Sequence, residues 1–401
     1  MSTIAASPPT VSSGRRWAML AASTLAQACA AIMMHGPAFL IPALHSHEGL
    51  TLPQAGLVAA APTLGVMAAL VAWGAVTDAY GERVVLVTGL VGTALLGLGA
   101  VLVHDLVLFS ILIGLAGASA ASANSASGRV VVGWFPPERR GLAMGIRQMA
   151  QPVGVGIAAI TIAVVAENRG IHAAIAVPTV AAAIAALVVA LLVIDPPRPE
   201  RPAGTNRRHG NPYRGDRYLL RIHSVSMLLV VPQFVVWTFA LVWLIQDRHW
   251  GAAAAGAVVA VAQIFGALGR IAVGQLSDVV TSRMRPLRWV ALAAAAVMLL
   301  LGVTAGIGWW VAVPLMVVAT VLTVADNGLA FTAVAERAGP FWSGRALGIQ
   351  NTAQFLTSSL VPPLGGLAVS AAGFSWAFAL AALFPVLAAP LVPVADEREL
   401  S

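Results

Sequence analysis

Twelve apolar stretches follow one another along this chain, each close to the ~20 residues that a helix needs to cross roughly 30 Å of hydrocarbon. They fall near residues 17–43, 53–77, 84–103, 106–134, 140–166, 170–194, 219–246, 250–277, 287–305, 309–335, 345–370 and 373–394. Most connectors between them are short, which makes consecutive stretches antiparallel neighbours. Such a succession leaves a lipid bilayer as the solvent for most of the chain. Composition agrees: 59% of the 401 residues are hydrophobic and 10% charged, against about 45–50% and about 25% in soluble domains. The expected fold class is an all-α membrane protein of twelve transmembrane helices.

One connector differs from the rest. Asp195 to Arg217 is rich in Pro, Gly and Arg and has no apolar period, the composition of a flexible linker. The chain is therefore expected to divide into a six-helix half over 1–194, a linker over 195–218 and a second six-helix half over 219–401. The basic residues give the orientation. All 23 are arginines, and they cluster in the connectors on one side of the alternating spans: Arg15 and Arg16, Arg83, Arg139 and Arg140, the linker group, Arg283, Arg285 and Arg288, Arg337 and Arg345, and Arg398. The opposite side holds only Arg169 and Arg248. The positive-inside rule then puts both termini and the linker in the cytoplasm of a cell whose inner membrane holds the protein. The net charge of +7 is thereby explained by topology, and no basic stripe interleaved with aromatics suggests nucleic acid. Arg15-Arg16 precedes an apolar run too long for an export-signal core, so the first span is expected to stay as a helix. The single cysteine, Cys29, excludes disulfide frameworks and multi-cysteine metal sites.

The two halves repeat. Gly74 and Asp78 close the second span, and Gly274 and Asp278 close the eighth, 200 residues later. Gly141-Leu-Ala143-Met-Gly145-Ile146 with Ala150-Gln151 recurs as Gly344-Arg-Ala346-Leu-Gly348-Ile349 with Ala353-Gln354, 203 residues on, and the same register pairs Asn124 with Asn327 and Pro137 with Pro340. Duplicated halves around a central site are the build of an alternating-access carrier.

At these residues the chain resembles the major facilitator superfamily. That family carries a G-x-x-x-D-(R/K)-x-G-x-(R/K) loop between helices two and three, with a weaker copy between eight and nine. Gly74, Asp78, Gly81 and Arg83 fit it, and Ala79 replaces the usual basic residue. The resemblance implies a fold of two pseudo-symmetric six-helix halves. It also implies a cytoplasmic gate in which Asp78 and Asp278 pair with arginines or helix ends in one conformation and release them in the other; Gly81, Arg83, Arg129, Gly274 and Arg283 belong to the same expectation. The segment Trp134–Gly145 resembles the junction between helices four and five in facilitators for organic anions and monocarboxylates. The glycine–proline motif of drug antiporters is not matched, because Gln151 precedes Pro152.

Charges inside hydrocarbon cost several kcal/mol unless paired or hydrated, so the intramembrane ionisable groups are the site candidates. They are Arg147, Arg270, Asp326 and, beside the Gly36-Pro37 break of the first span, His35. Asp326, about 16 Å from the near end of its span at 1.5 Å per residue, is the only acid deep in a span and the candidate for proton coupling. Arg270 resembles the helix-eight arginine that binds substrate carboxylate in monocarboxylate carriers. Arg129 reads as a gate or interfacial residue. Gln148, Gln151, Asn327, Gln350, Asn351 and Gln354 recur on corresponding helices; some line a cavity and others bond neighbouring helices.

The expected function is a secondary carrier for a small organic solute, anionic because buried arginines outnumber the buried aspartate, with a proton as coupling ion. It is expected to act as a monomer without cofactor or metal. A proton-antiporting drug or metabolite exporter is the alternative. A sensor on the same fold ranks lower, as does a membrane enzyme, for which H-E-x-x-H and G-x-S-x-G are both missing from the sequence.

Overall fold

The computed structural model describes residues 11–197, 211–214 and 217–397. Most of the expected linker, with Arg198, Arg201, Arg207 and Arg208, lies outside them, as does Arg398. The described chain forms α1 (Ser13–His35), α2 (Ile41–Ser46), α3 (Leu52–Tyr80), α4 (Glu82–Leu102), α5 (Leu106–Trp134), α6 (Pro137–Gln148) and α7 (Ala150–Leu192). The second half adds α8 (Tyr218–Gln246), α9 (Ala252–Val279), α10 (Met284–Gly306), α11 (Ala312–Ala338), α12 (Ser343–Ala381) and α13 (Leu383–Leu391). A 3-10 turn over Gly36–Leu40 joins α1 to α2. Pro37 removes a backbone donor there, so the first span tightens without ending.

Ten continuous helical stretches are long and apolar enough to cross a membrane, but two are double length: 137–192, with 56 residues, and 343–391, with 49. Each folds back at a single glycine. Gly170 has φ 83° inside α7 and Gly373 has φ 85° inside α12, a backbone region open to glycine and strained for other residues. Split at these turns, ten stretches become twelve spans. The two glycines stand 203 residues apart, in the register of the sequence repeat. Two further pairs of turns follow the register of 200: Gly49 with His249, and Gly81 with Thr281, all at positive φ.

Leu57, Leu95, Ile160, Leu191, Leu300, Trp310 and Leu367 are among many large apolar side chains left exposed. On a protein in water such a surface would drive aggregation; in hydrocarbon it is the outer wall. Inside, the apolar packing is asymmetric along the membrane normal. Residues near the linker, from Met19 and Val130 through Leu219, Leu287 and Leu347, form one cluster to which both halves contribute. Toward the other face the cluster divides. Leu40, Phe109, Ile162 and Ile175 make a core of the first half alone, and Val236, Trp243, Met298 and Phe378 one of the second half alone. The halves are fused at the linker face and packed separately beyond it.

Candidate functional site

Two aspartates close the linker face, each reaching into the opposite half. Asp78, near the end of α3, accepts hydrogen bonds from the backbone N–H groups of Gly344 (2.9 Å) and Arg345 (3.1 Å) in the first turn of α12. Asp278, near the end of α9, accepts them from Gly141 (2.9 Å) and Leu142 (2.8 Å) in the second turn of α6. At α12 the amides are among the first N–H groups of the helix, which have no partner within it and carry partial positive charge, so the Asp78 carboxylate satisfies both. Arg129 from α5 bonds Asp78 at 2.8 Å, Glu82 at 2.9 Å and, across the seam, the Pro340 carbonyl at 2.7 Å. Arg283 bonds Asp278, the Pro137 carbonyl (2.6 Å) and Glu336 (3.4 Å), and Arg140 adds a second bond to Glu336 at 3.3 Å.

Glycine makes this approach feasible. A Cβ on Gly74 would sit 2.4 Å from the Gly344 carbonyl oxygen, and one on Gly141 would sit 2.2 Å from that of Gly274. Arg83 takes no part in the seam: its backbone N–H bonds the Asp195 carboxylate at 2.7 Å and its Nη2 the Ala190 carbonyl at 2.6 Å, both in the first half. Gly81, at φ 104°, turns the chain between α3 and α4.

Above the seam, at mid-membrane, a small cavity lies between the halves. Its wall from the first half carries Gln27, Asn124, Arg147, Gln148 and Gln151; the second half contributes Gln233, Arg270, Asn327, Asn351 and Gln354, with Phe234, Phe331 and Phe355 as apolar surfaces. The two walls are built alike. Gln27 donates to Asn124 Oδ1 at 2.8 Å, and Asn327 donates to Gln233 Oε1 at 3.1 Å.

The two buried arginines differ in how far they are used. Arg147 donates from Nε to Ser127 Oγ (2.8 Å), from Nη1 to Gln148 Oε1 (2.8 Å), and from Nη2 to Gln27 Oε1 (3.2 Å) and the Asn124 carbonyl (3.3 Å). Phe331 lies under its guanidinium, 5.7 Å to the ring centre. Arg147 thus organises its own half. Arg270, 3% exposed, donates only from Nη1, to the Gln148 carbonyl across the seam at 2.6 Å. Its Nε is buried without a partner among the described residues, and Nη2 makes no hydrogen bond there, so the Nε–Nη2 edge has no acceptor, and Nη2 rather than Nε is its accessible end. Asp326 lies within electrostatic reach of Arg270 but outside ion-pair distance and behind the cavity wall. A buried guanidinium edge without an acceptor marks a place for an anion.

The sequence model described as Major Facilitator Superfamily matches residues 23–362. The chain belongs to the major facilitator superfamily. An uncharacterized MFS-type transporter of Mycobacterium tuberculosis is 46% identical to it over 381 residues, 95% of this chain and 85% of that protein. The fold superposes on the facilitator FucP in the outward conformation with a TM-score of 0.77, at 15% identity, over 94% of this chain and 99% of FucP. The proton:xylose symporter XylE aligns with a TM-score of 0.75 at 17% identity, over 97% and 98% of the two chains.

In this facilitator Gln350 and His35 stand apart from the cavity lining. Gln350, fully buried, bonds His223 Nδ1 and Ser226 Oγ. His35 meets Gln151 at 3.4 Å. His223 was not singled out in the sequence, nor was Tyr213, the linker residue whose hydroxyl lies 2.9 Å from His223 Nε2. Burial pushes the Tyr213 hydroxyl up, which keeps it protonated as the donor of that bond. Gln27, Gln233, Glu82 and Glu336 are likewise site residues that sequence reasoning passed over. The signal for Gln27 and Gln233 is present: each is a lone carboxamide in an apolar run opening its half, and such groups need partners in lipid.

Proposed function

We propose that this facilitator is a secondary active carrier for a small organic anion in the cytoplasmic membrane, coupled to protons, with both termini and the linker in the cytoplasm. On this reading the seam of Asp78, Asp278, Arg129 and Arg283 is the cytoplasmic gate in its closed state, and the separated cores beyond the cavity are the outward mouth. The observation that carries the anion is the unpartnered Nε–Nη2 edge of Arg270. A guanidinium presents that edge to a carboxylate as two parallel N–H donors. Arg147 and Arg270 together outweigh Asp326, which leaves the neighbourhood of the cavity with net positive charge in a medium that penalises it; a bound anion offsets this.

Asp326 supports proton coupling by position. It is a carboxylate buried on α11, in the field of Arg270 but not bonded to it, so anion and Asp326 answer to the same guanidinium. An anion arriving at Arg270 weakens that guanidinium's hold on ionised Asp326, and proton uptake by Asp326 follows anion binding. Calorimetry on the purified protein tests the anchor: propionate is expected to bind, and Arg270→Gln to weaken it by about tenfold to a hundredfold, the value of a charge-assisted hydrogen bond. Equal binding by the variant would overturn the anchor. Preference for a cationic drug such as ethidium over propionate would turn the reading to an exporter.

A further inference from the structure

The carboxamides around the cavity leave six hydrogen-bonding groups unused among the described residues, and these are mixed in kind. Every bond made by these side chains is accounted for. Gln354 donates to Asn327 at 2.9 Å, and its own Oε1 accepts nothing. Asn351 donates to the Leu347 carbonyl at 2.9 Å, and its Oδ1 accepts nothing. Gln151 meets His35 through Nε2, which leaves its Oε1 open. On the donor side, Gln233 accepts from Asn327, Gln148 accepts from Arg147 and Asn124 accepts from Gln27, while the amide nitrogens of all three donate to nothing. None of these six atoms is among the fully buried, unpartnered polar atoms, and all six residues line the cavity.

Three free acceptors and three free donors, contributed by both halves, suit a group that donates and accepts at one atom. That group is a hydroxyl. A purely apolar carboxylate would leave these amides unsatisfied once water is expelled, at a penalty for each. The cavity is small, about 40 Å³, which is room for roughly three waters, so the fit in this conformation is to a short chain. We infer that the physiological substrate is a small hydroxylated carboxylate, its carboxylate on Arg270 and its hydroxyls shared among Gln151, Asn351 and Gln354 as acceptors and Asn124, Gln148 and Gln233 as donors. This rests on the reading of Arg270 as a carboxylate anchor and adds the requirement for hydroxyls.

A matched series tests it on the full-length protein in detergent: propionate, lactate and glycerate share one carboxylate and carry zero, one and two hydroxyls, and glycerol carries hydroxyls alone. Calorimetric affinity is expected to tighten about threefold to tenfold with each hydroxyl. Gln354→Met and, separately, Gln151→Met are expected to reduce the glycerate-to-propionate affinity ratio by a similar factor; either variant suffices if the other does not fold. Equal affinity for the three acids would overturn the hydroxyl requirement and leave the anion reading standing. Glycerol binding as tightly as glycerate would instead defeat the carboxylate anchor, and failure of all four to bind would overturn the class.

Discussion

Replacing Asp278 by Asn isolates what one arm of the seam contributes. The carboxylate accepts two backbone N–H bonds from the second turn of α6 and a third bond from Arg283. Asn keeps one acceptor oxygen and turns an amide N–H toward the other donor, so at least one charge-assisted bond is lost, about 1.5–3 kcal/mol. Arg283 is not stranded, because the Pro137 carbonyl and Glu336 still hold it. These bonds exist only while α9 meets α6, so the loss falls on one conformation and the closed-to-open ratio changes by about tenfold to about 150-fold. The assay needs one reporter: with Cys29, the only cysteine, changed to Ala, a cysteine at Ser358, in the cavity above the seam, is labelled by a membrane-impermeant maleimide in inside-out vesicles. Its labelling rate is expected to rise by at least about tenfold in Asp278→Asn. Asp78→Asn should do the same, and the two free energies should add, because each aspartate holds a different pair of helices. Unchanged labelling with abolished propionate binding would refute the assignment and move these aspartates to the substrate.

Asp326→Asn is expected to abolish accumulation driven by a pH gradient while preserving exchange of substrate in proteoliposomes; continued accumulation on the gradient removes Asp326 from coupling. Arg147→Gln should chiefly lower thermal stability, since it breaks four hydrogen bonds within one half, whereas Arg270→Gln should chiefly lower anion affinity; differential scanning of both variants with and without propionate separates the two. Cysteines at Asn168 and Asn206 are expected to label from opposite sides of the membrane, and same-side labelling contradicts the single span between them and with it the twelve-span topology. Tyr213→Phe deletes the donor to His223 and is expected to lower stability by about 1 kcal/mol, read as a drop in melting temperature without loss of binding.

The twelve spans were legible because length and apolarity suffice to define a membrane helix, and the repeat was legible because Gly74 with Asp78 and Gly274 with Asp278 keep their spacing. The turns at Gly170 and Gly373 were not distinguished from other loops, since only φ separates a one-glycine reversal from a longer connector. Arg147 and Arg270 read alike in sequence, each a lone arginine in an apolar helix. What divides them is the supply of acceptors: Gln27, Asn124 and Ser127 come to Arg147 from residues 20 to 120 positions away, and nothing comparable reaches Arg270. Gln350 stood in sequence among the carboxamides that recur on corresponding helices, as a candidate for the cavity, but His223 and Ser226 draw it into the interior of its own half.

The crossed capping at the seam has a further consequence for how the molecule holds together. Each half ends a helix in a carboxylate whose backbone donors belong to the other half, and carries, within the first two turns of a helix, amides that bond a carboxylate of the other half. Neither six-helix piece is chemically complete alone; each is a lock and a key facing the matching pair. Made as two separate polypeptides cut within the linker, the pieces would still present complementary ends, and recognition between them would owe nothing to the covalent tether. The linker then sets only the odds of their meeting, as in a dimer whose subunits have been joined end to end.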